Sequence, residues 1–221
     1  IKVVRGFLKE GDTITVKFGD KSKGSPGMRL QTFCEESYEF HTLVDPIATY
    51  CYQPMPEQPT IKIVPGPAER FLAIGPTIRA VGEPFQIKIK GEDKWGNPTN
   101  LCDYEFDAVS TCKIEGLPKK VTLKPGKFTA TLSDLRVQTA EDLTVKFAND
   151  VNNIAFETNP IRIEEKPQSR HFWGDLHGQS EETIGTNSAE AYFKFARDLA
   201  FVDVSGHQGN DFQITTDFWK H

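Results

Sequence analysis

The chain has 221 residues, 38% of them hydrophobic, and a formal net charge of −5. That length allows one large domain or two small ones. The acidic balance excludes general nucleic-acid binding, which needs a basic footprint, and no apolar run approaches the roughly 20 residues of a membrane span.

The chain opens on Ile1 rather than Met, with no signal peptide, which implies a processed or cropped polypeptide. Residues 1–58 have a turn-and-strand texture. Thr13-Ile14-Thr15-Val16-Lys17-Phe18 alternates with period two, the mark of a half-buried strand. The run from Gly19 to Gly27 is a loop by composition. Met28 to Phe33 and Tyr38 to Val44 read as further strands. Pro54, Pro56 and Pro59 form a stiff connector.

Residues 60–165 form the clearest module. Ile61 to Val64 opens it, and Phe85-Gln86-Ile87-Lys88-Ile89-Lys90 alternates cleanly, with its lysines on the wet face. Val121 to Leu123, Phe128 to Leu132, Leu143 to Phe147 and Ile161 to Ile163 continue the pattern. Short strands at regular spacing, with turns between them, predict an immunoglobulin-like β-sandwich. The turn Asp93-Lys94-Trp95-Gly96-Asn97-Pro98 lacks calcium-loop spacing. All four cysteines lie in this first half. Cys34 with Cys51 and Cys102 with Cys112 are candidate bridges, and four free buried thiols are the equal alternative. Bridges would place the protein in an oxidising compartment, periplasmic or extracellular. Glu164 to Ser169 is the expected linker.

The texture then changes over 170–221. Asn187 and Glu190 make a start resembling a capping box. Ala189, Tyr192, Phe193, Ala196, Leu199 and Ala200 line one face of an amphipathic helix. Phe172 to Leu176 before it and Phe201 to Ser205 after it are short and apolar. A strand-helix-strand unit predicts two neighbouring parallel strands joined by a crossover. Phe193, Phe195, Phe201, Phe212 and Phe218 are read as helix face and barrel core, and Trp173 as core in preference to the lining of a substrate pocket.

Each of these strands ends in chemistry-bearing residues. Asp175 and His177 stand two apart and so point the same way. His207 follows the second strand, and Asp211 follows a glycine-containing turn. Parallel neighbours deliver their ends to one edge, and imidazole with carboxylate suits zinc, manganese or iron. The plainer reading is of polar loop residues with Asp175 capping the backbone, and the residues alone leave both open.

Trp173-Gly174-Asp175-Leu176-His177, a serine-bearing loop, a helix and then Ser205-Gly206-His207 resemble the opening of the PHP (polymerase and histidinol phosphatase) superfamily. The likeness is nearest to large bacterial proteins of that kind whose barrel follows β-rich segments. The resemblance implies a distorted α/β barrel that holds two or three divalent metal ions at its rim and hydrolyses phosphoesters. On it, His177 matches the first histidine of a His-x-His strand end and His207 the histidine of an Asp-His pair. Gln179 stands where the second histidine would be, and Gly206 where that pair's aspartate would be. The implied metal set is His177, His207, Asp175 and Gln179, with Asp175 and Asp211 as the catalytic carboxylates. Those two departures leave open fewer ions or other ligands. Two strands cannot close a barrel, so the remaining ligands are expected from the remainder of the same protein. The expected substrate is a small-molecule ester. The alternative is a non-catalytic binding or spacer protein with a degenerate barrel.

Overall fold

The structure is a computed structural model, and it describes residues 1, 3–209, 215–217 and 220. The protein is mainly β. Two compact units divide it, Ile1–Thr32 and Phe33–His221.

In the first unit the described residues form turns and no strand. Ile14, Val16 and Phe18 do alternate, yet all three are exposed. Alternation suits one buried face, but a strand also needs a ladder and an apolar surface to cover that face. Neither forms here, so the expected strands at Thr13–Phe18 and Met28–Phe33 are absent.

The second unit begins with β1 (Glu35–Glu39), β2 (Leu43–Val44), β3 (Gln53–Pro54) and β4 (Thr60–Ile63). β1 pairs antiparallel with β4, and β2 with β3. The β1–β4 ladder therefore links residues on either side of the expected boundary between 58 and 60. Next come β5 (Arg70–Ile74), β6 (Ile78–Ala80), β7 (Phe85–Glu92), β8 (Pro98–Thr99), β9 (Tyr104–Ser110) and β10 (Lys120–Leu123). β11 (Thr129–Leu135), β12 (Glu141–Leu143), β13 (Val145–Asn149), β14 (Ile154–Glu157) and β15 (Ile161–Glu164) follow. They form three sheets, ordered β11-β7-β5 with β8 at the side, β10-β9-β13-β14, and β12-β15-β6.

One apolar cluster joins the three sheets. Phe85, Ile87 and Ile89 of β7 point into it, as their alternation predicts. Phe71 of β5 meets Phe106 of β9 and Phe156 of β14 at ring distances of 5.1 and 5.6 Å, so aromatic contacts bridge the first two sheets. Each fully buried large apolar side chain contributes roughly 1.5–3 kcal/mol.

The lysines of β7 depart from expectation. Lys90 is only 7% exposed. Its Nζ pairs with Glu92 at 2.9 Å and donates to the Leu199 carbonyl at 2.6 Å. Lys88 Nζ reaches the Arg197 carbonyl at 3.4 Å, and both ammonium groups lie 5.3 Å from the centre of the Phe201 ring. The supposed wet face of β7 is thus covered at Lys90 and partly at Lys88 by the end of a helix, whose terminal carbonyls and aromatic ring attract cations, while Gln86 stays exposed.

The four cysteines are free. The Asp93 turn is closed by protein donors. Its carboxylate accepts from the backbone N–H groups of Gly66, Trp95 and Asn97 and from the Asn97 amide. Burial alone would raise its pKa, but these hydrogen bonds hold it below the usual carboxylate range.

Candidate functional site

β16 (Gly174–Gly178) and β17 (Val204–His207) flank α1 (Ala189–Phe195), which continues as a π-helical turn over 196–200. β16 and β17 pair in parallel, as the strand-helix-strand pattern predicts. Ser188 caps the helix, its Oγ accepting from the Ala191 N–H at 3.2 Å. The cap is one residue later than expected, because Asn187 instead accepts from the Glu36 N–H. Phe201 closes the π-helical turn at a positive φ of 62°. Of the expected helix face only Ala196 is buried.

The unit docks on the β region at its two ends. Lys88 and Lys90 hold the helix end. Trp173 is 67% exposed rather than in the core, and its Nε1 donates to Thr77 Oγ1 at 2.8 Å. Arg170 pairs with Glu83 at 2.7 Å.

The register places the site residues. Asp175 lies opposite Ser205 and Gly178 opposite His207, so β16 carries one extra residue between the two pairs. Without this bulge His177 would face His207 across the ladder. Bulges re-aim side chains in this way, and here Gly178 takes the facing position. That position admits no side chain, since a Cβ on Gly178 would lie 2.0 Å from the Tyr192 ring.

Tyr192 ties the helix to both strands. Its hydroxyl accepts from Ser205 Oγ at 2.8 Å and lies 3.4 Å from Asp175 Oδ2 and 3.3 Å from the Gly206 carbonyl. Asp175 Oδ1 also accepts from the His177 N–H at 2.9 Å. His177 is exposed and His207 half-buried. The His207 ring lies 6.2 Å from the Tyr192 ring and 6.3 Å from that of Phe193.

Behind His207 stands a polar array that sequence reasoning did not isolate. His207 Nε2 is 2.7 Å from Ser180 Oγ, and Ser180 Oγ hydrogen-bonds to Glu182. Ser180 is 0% exposed. Glu182 in turn accepts from the Ala189 N–H, at 3.0 Å to its nearer oxygen. Burial tends to raise the Glu182 pKa. Hydrogen bonds from Ser180 and from the Glu182 and Ala189 N–H groups, with attraction from His207, bring it below the usual range. Ser180 and Glu182 carry no periodic signal, and only their closeness to the motif hinted at them.

Gln179 belongs to this loop's support, its Oε1 accepting from Thr183 Oγ1 at 2.5 Å. Asp211 lies outside the described residues. In chemistry, two imidazoles and a carboxylate suit a borderline divalent ion. In number they fall short, because among the described residues no three His, Cys, Asp or Glu side chains converge to hold one. An open cleft beside the helix is lined by Glu190, Phe193, Lys194, Arg197, Asp203 and Ser205, and by none of the expected site residues. No described helix is long and apolar enough to cross a membrane.

No family model matches the chain, so the likeness to the PHP superfamily rests on the residues quoted for it. The chain is 23% identical over 213 residues to an uncharacterised protein of Chlamydia trachomatis serovar D, covering 92% of this chain and 34% of that protein. A Chlamydia muridarum protein is 22% identical with the same coverage. A Chlamydia pneumoniae protein is 24% identical over 223 residues, covering 96% of this chain and 35% of its own length. The chain spans about a third of the length of these curated relatives.

Proposed function

We propose that the edge carrying Asp175, His177 and His207 is one side of a metal-dependent hydrolase centre, cleaving a phosphoester or related ester. In this reading β16, α1 and β17 open a PHP-like barrel, preceded by immunoglobulin-like sandwich modules. The observation that supports it is the parallel pairing of β16 with β17 across one helix. It brings the histidine-bearing ends of both strands to the same sheet edge, where α/β folds place their sites.

His177, His207 and Asp175 do not converge on one point by themselves, so each would contribute to a zinc, manganese or iron site only together with further donors, Asp211 among them. Such an ion supplies Lewis acidity toward an ester oxygen and a nucleophilic water at neutral pH. Asp175 orients the strand end through the His177 N–H, and Tyr192 holds Asp175 against Ser205. The remaining donors and the pocket for a small ester come, in this reading, from the rest of the same protein.

A second reading is a binding or spacer protein with a degenerate barrel. It is favoured by the engagement of Gln179 with Thr183 and by the lack, among the described residues, of three converging donors. The longest natural polypeptide containing this chain decides between them. The hydrolase reading expects a bound transition metal and chelator-sensitive turnover of a phosphate monoester or diester panel. His177→Ala should then weaken metal binding by at least the roughly 10–100-fold that loss of a supporting partner costs. A metal-free protein, or turnover indifferent to both chelator and His177→Ala, refutes it. Glycan or surface binding by residues 1–165 supports the second reading.

A further inference from the structure

The hydrogen bonds at Ser180 fix which group donates at each of its two contacts. Ser180 Oγ lies 2.7 Å from His207 Nε2 and also hydrogen-bonds to Glu182 Oε2. A hydroxyl has one proton to give, whereas an ionised carboxylate has none. Both Glu182 oxygens accept from the Ala189 N–H, at 3.3 and 3.0 Å, at the start of α1. The positive end of a helix favours negative charge there. Glu182 is therefore the acceptor, Ser180 gives its proton to Glu182, and His207 Nε2 donates to Ser180 Oγ.

We propose that Glu182 and Ser180 are positioning residues that fix His207 as its Nε2–H tautomer, so that Nδ1 carries the lone pair His207 brings to chemistry. Metal-binding histidines commonly have their second nitrogen fixed in this way. The purpose rests on the hydrolase reading, while the tautomer itself does not. The same three groups do not form a nucleophilic triad, because the Ser180 side chain is fully buried and offers no surface for attack.

The array is stiffly held. Ser180 N–H donates to Thr183 Oγ1 at 3.1 Å, and the Ser180 carbonyl accepts from the Thr183 and Gly185 N–H groups at 2.9 and 2.8 Å. The Glu181 N–H donates to the Asn187 carbonyl at 2.8 Å, closing the loop just before the helix.

The test is the tautomer of His207, read by multiple-bond proton–nitrogen correlation on the full chain. The protein is labelled with nitrogen-15 histidine, stripped of metal, and held at a pH where the ring is neutral. Wild type should show Nε2–H alone. Ser180→Ala should lose that preference and give the mixture of a free imidazole. Glu182→Ala frees the serine proton for Nε2 and should shift the population toward Nδ1–H. Nδ1–H in the wild type overturns the proposal. An unchanged tautomer in a folded Ser180→Ala protein, judged by amide dispersion, overturns it too. Should that variant fail to fold, the wild-type spectrum still decides. Nε2–H without bound metal or turnover sinks the hydrolase reading alone. Nδ1–H with chelator-sensitive turnover sinks the positioning role alone.

Discussion

Replacing Lys90 with methionine keeps most of the buried stem and removes the ammonium group. Three interactions go with it: the 2.9 Å pair with Glu92, the 2.6 Å hydrogen bond to the Leu199 carbonyl, and one of two cations beside Phe201. Breaking a buried ion pair costs about 3–5 kcal/mol when the partner is left alone. Glu92, 4% exposed, is not left alone, since Arg70 holds its Oε2 at 2.5 Å. The cost therefore reduces to the charged hydrogen bond and part of the pair, about 2–3 kcal/mol. That is a large fraction of a typical domain's stability of about 5–15 kcal/mol. Guanidinium unfolding of the full chain measures it. Hydrogen exchange over 196–207 should accelerate as well, because the helix end is released from β7. Lys88→Met is the control. Its contact with the Arg197 carbonyl is long and exposed, and its removal should cost about 0.5 kcal/mol. If Lys90→Met also costs less than about 0.5 kcal/mol, the reasoning that Lys90 fastens the strand-helix-strand unit to the β region is refuted.

Gly178→Ala drives a methyl group into the Tyr192 ring and should cost about 1–3 kcal/mol. Thermal unfolding checks this, and Tyr192→Ala in the same chain should recover part of the loss. Ile87→Ala opens a cavity at a fully buried position and should cost about 2–5 kcal/mol in denaturant unfolding with an unchanged slope. Asp93 has a pKa lowered by folding. Its stabilisation is therefore complete above its unfolded value of about 3.9 and fades as pH falls through the lower folded value. Unfolding midpoints measured from about pH 5 down to about pH 2 should fall less steeply in Asp93→Asn than in wild type. Parallel profiles would show that the turn does not stabilise the ionised carboxylate.

Much of the strand content was legible because a half-buried strand writes its two faces into alternate residues. Phe85, Ile87 and Ile89 are buried on that period. Leu143 to Phe147, read as one strand, is instead split between β12 and β13. The chain passes there from one sheet to another, which a local apolar run does not record. β6 and β9 escaped notice because charged residues interrupt their apolar ones, and β5 and β14 because their short apolar runs do not alternate. Of the site, the sequence carried the pair of strand ends, since a helix between two short apolar runs constrains them to run parallel.

What the sequence determined by itself is the β-rich character and the delivery of Asp175, His177 and His207 to neighbouring strand ends, because both follow from local periodicity and short connections. Tertiary structure alone decided three things. Lys90 of β7 became an interior contact, because a helix end from more than 100 residues further on offers a carbonyl to it. The bulge in β16 set Gly178, not His177, opposite His207, because Tyr192 packs against the position where a side chain would stand. Ser180 and Glu182 came to stand behind His207, because the loop from 179 to 188 folds back on the start of α1. Each depends on which surfaces meet, and that information is not contained in the spacing of residues along the chain.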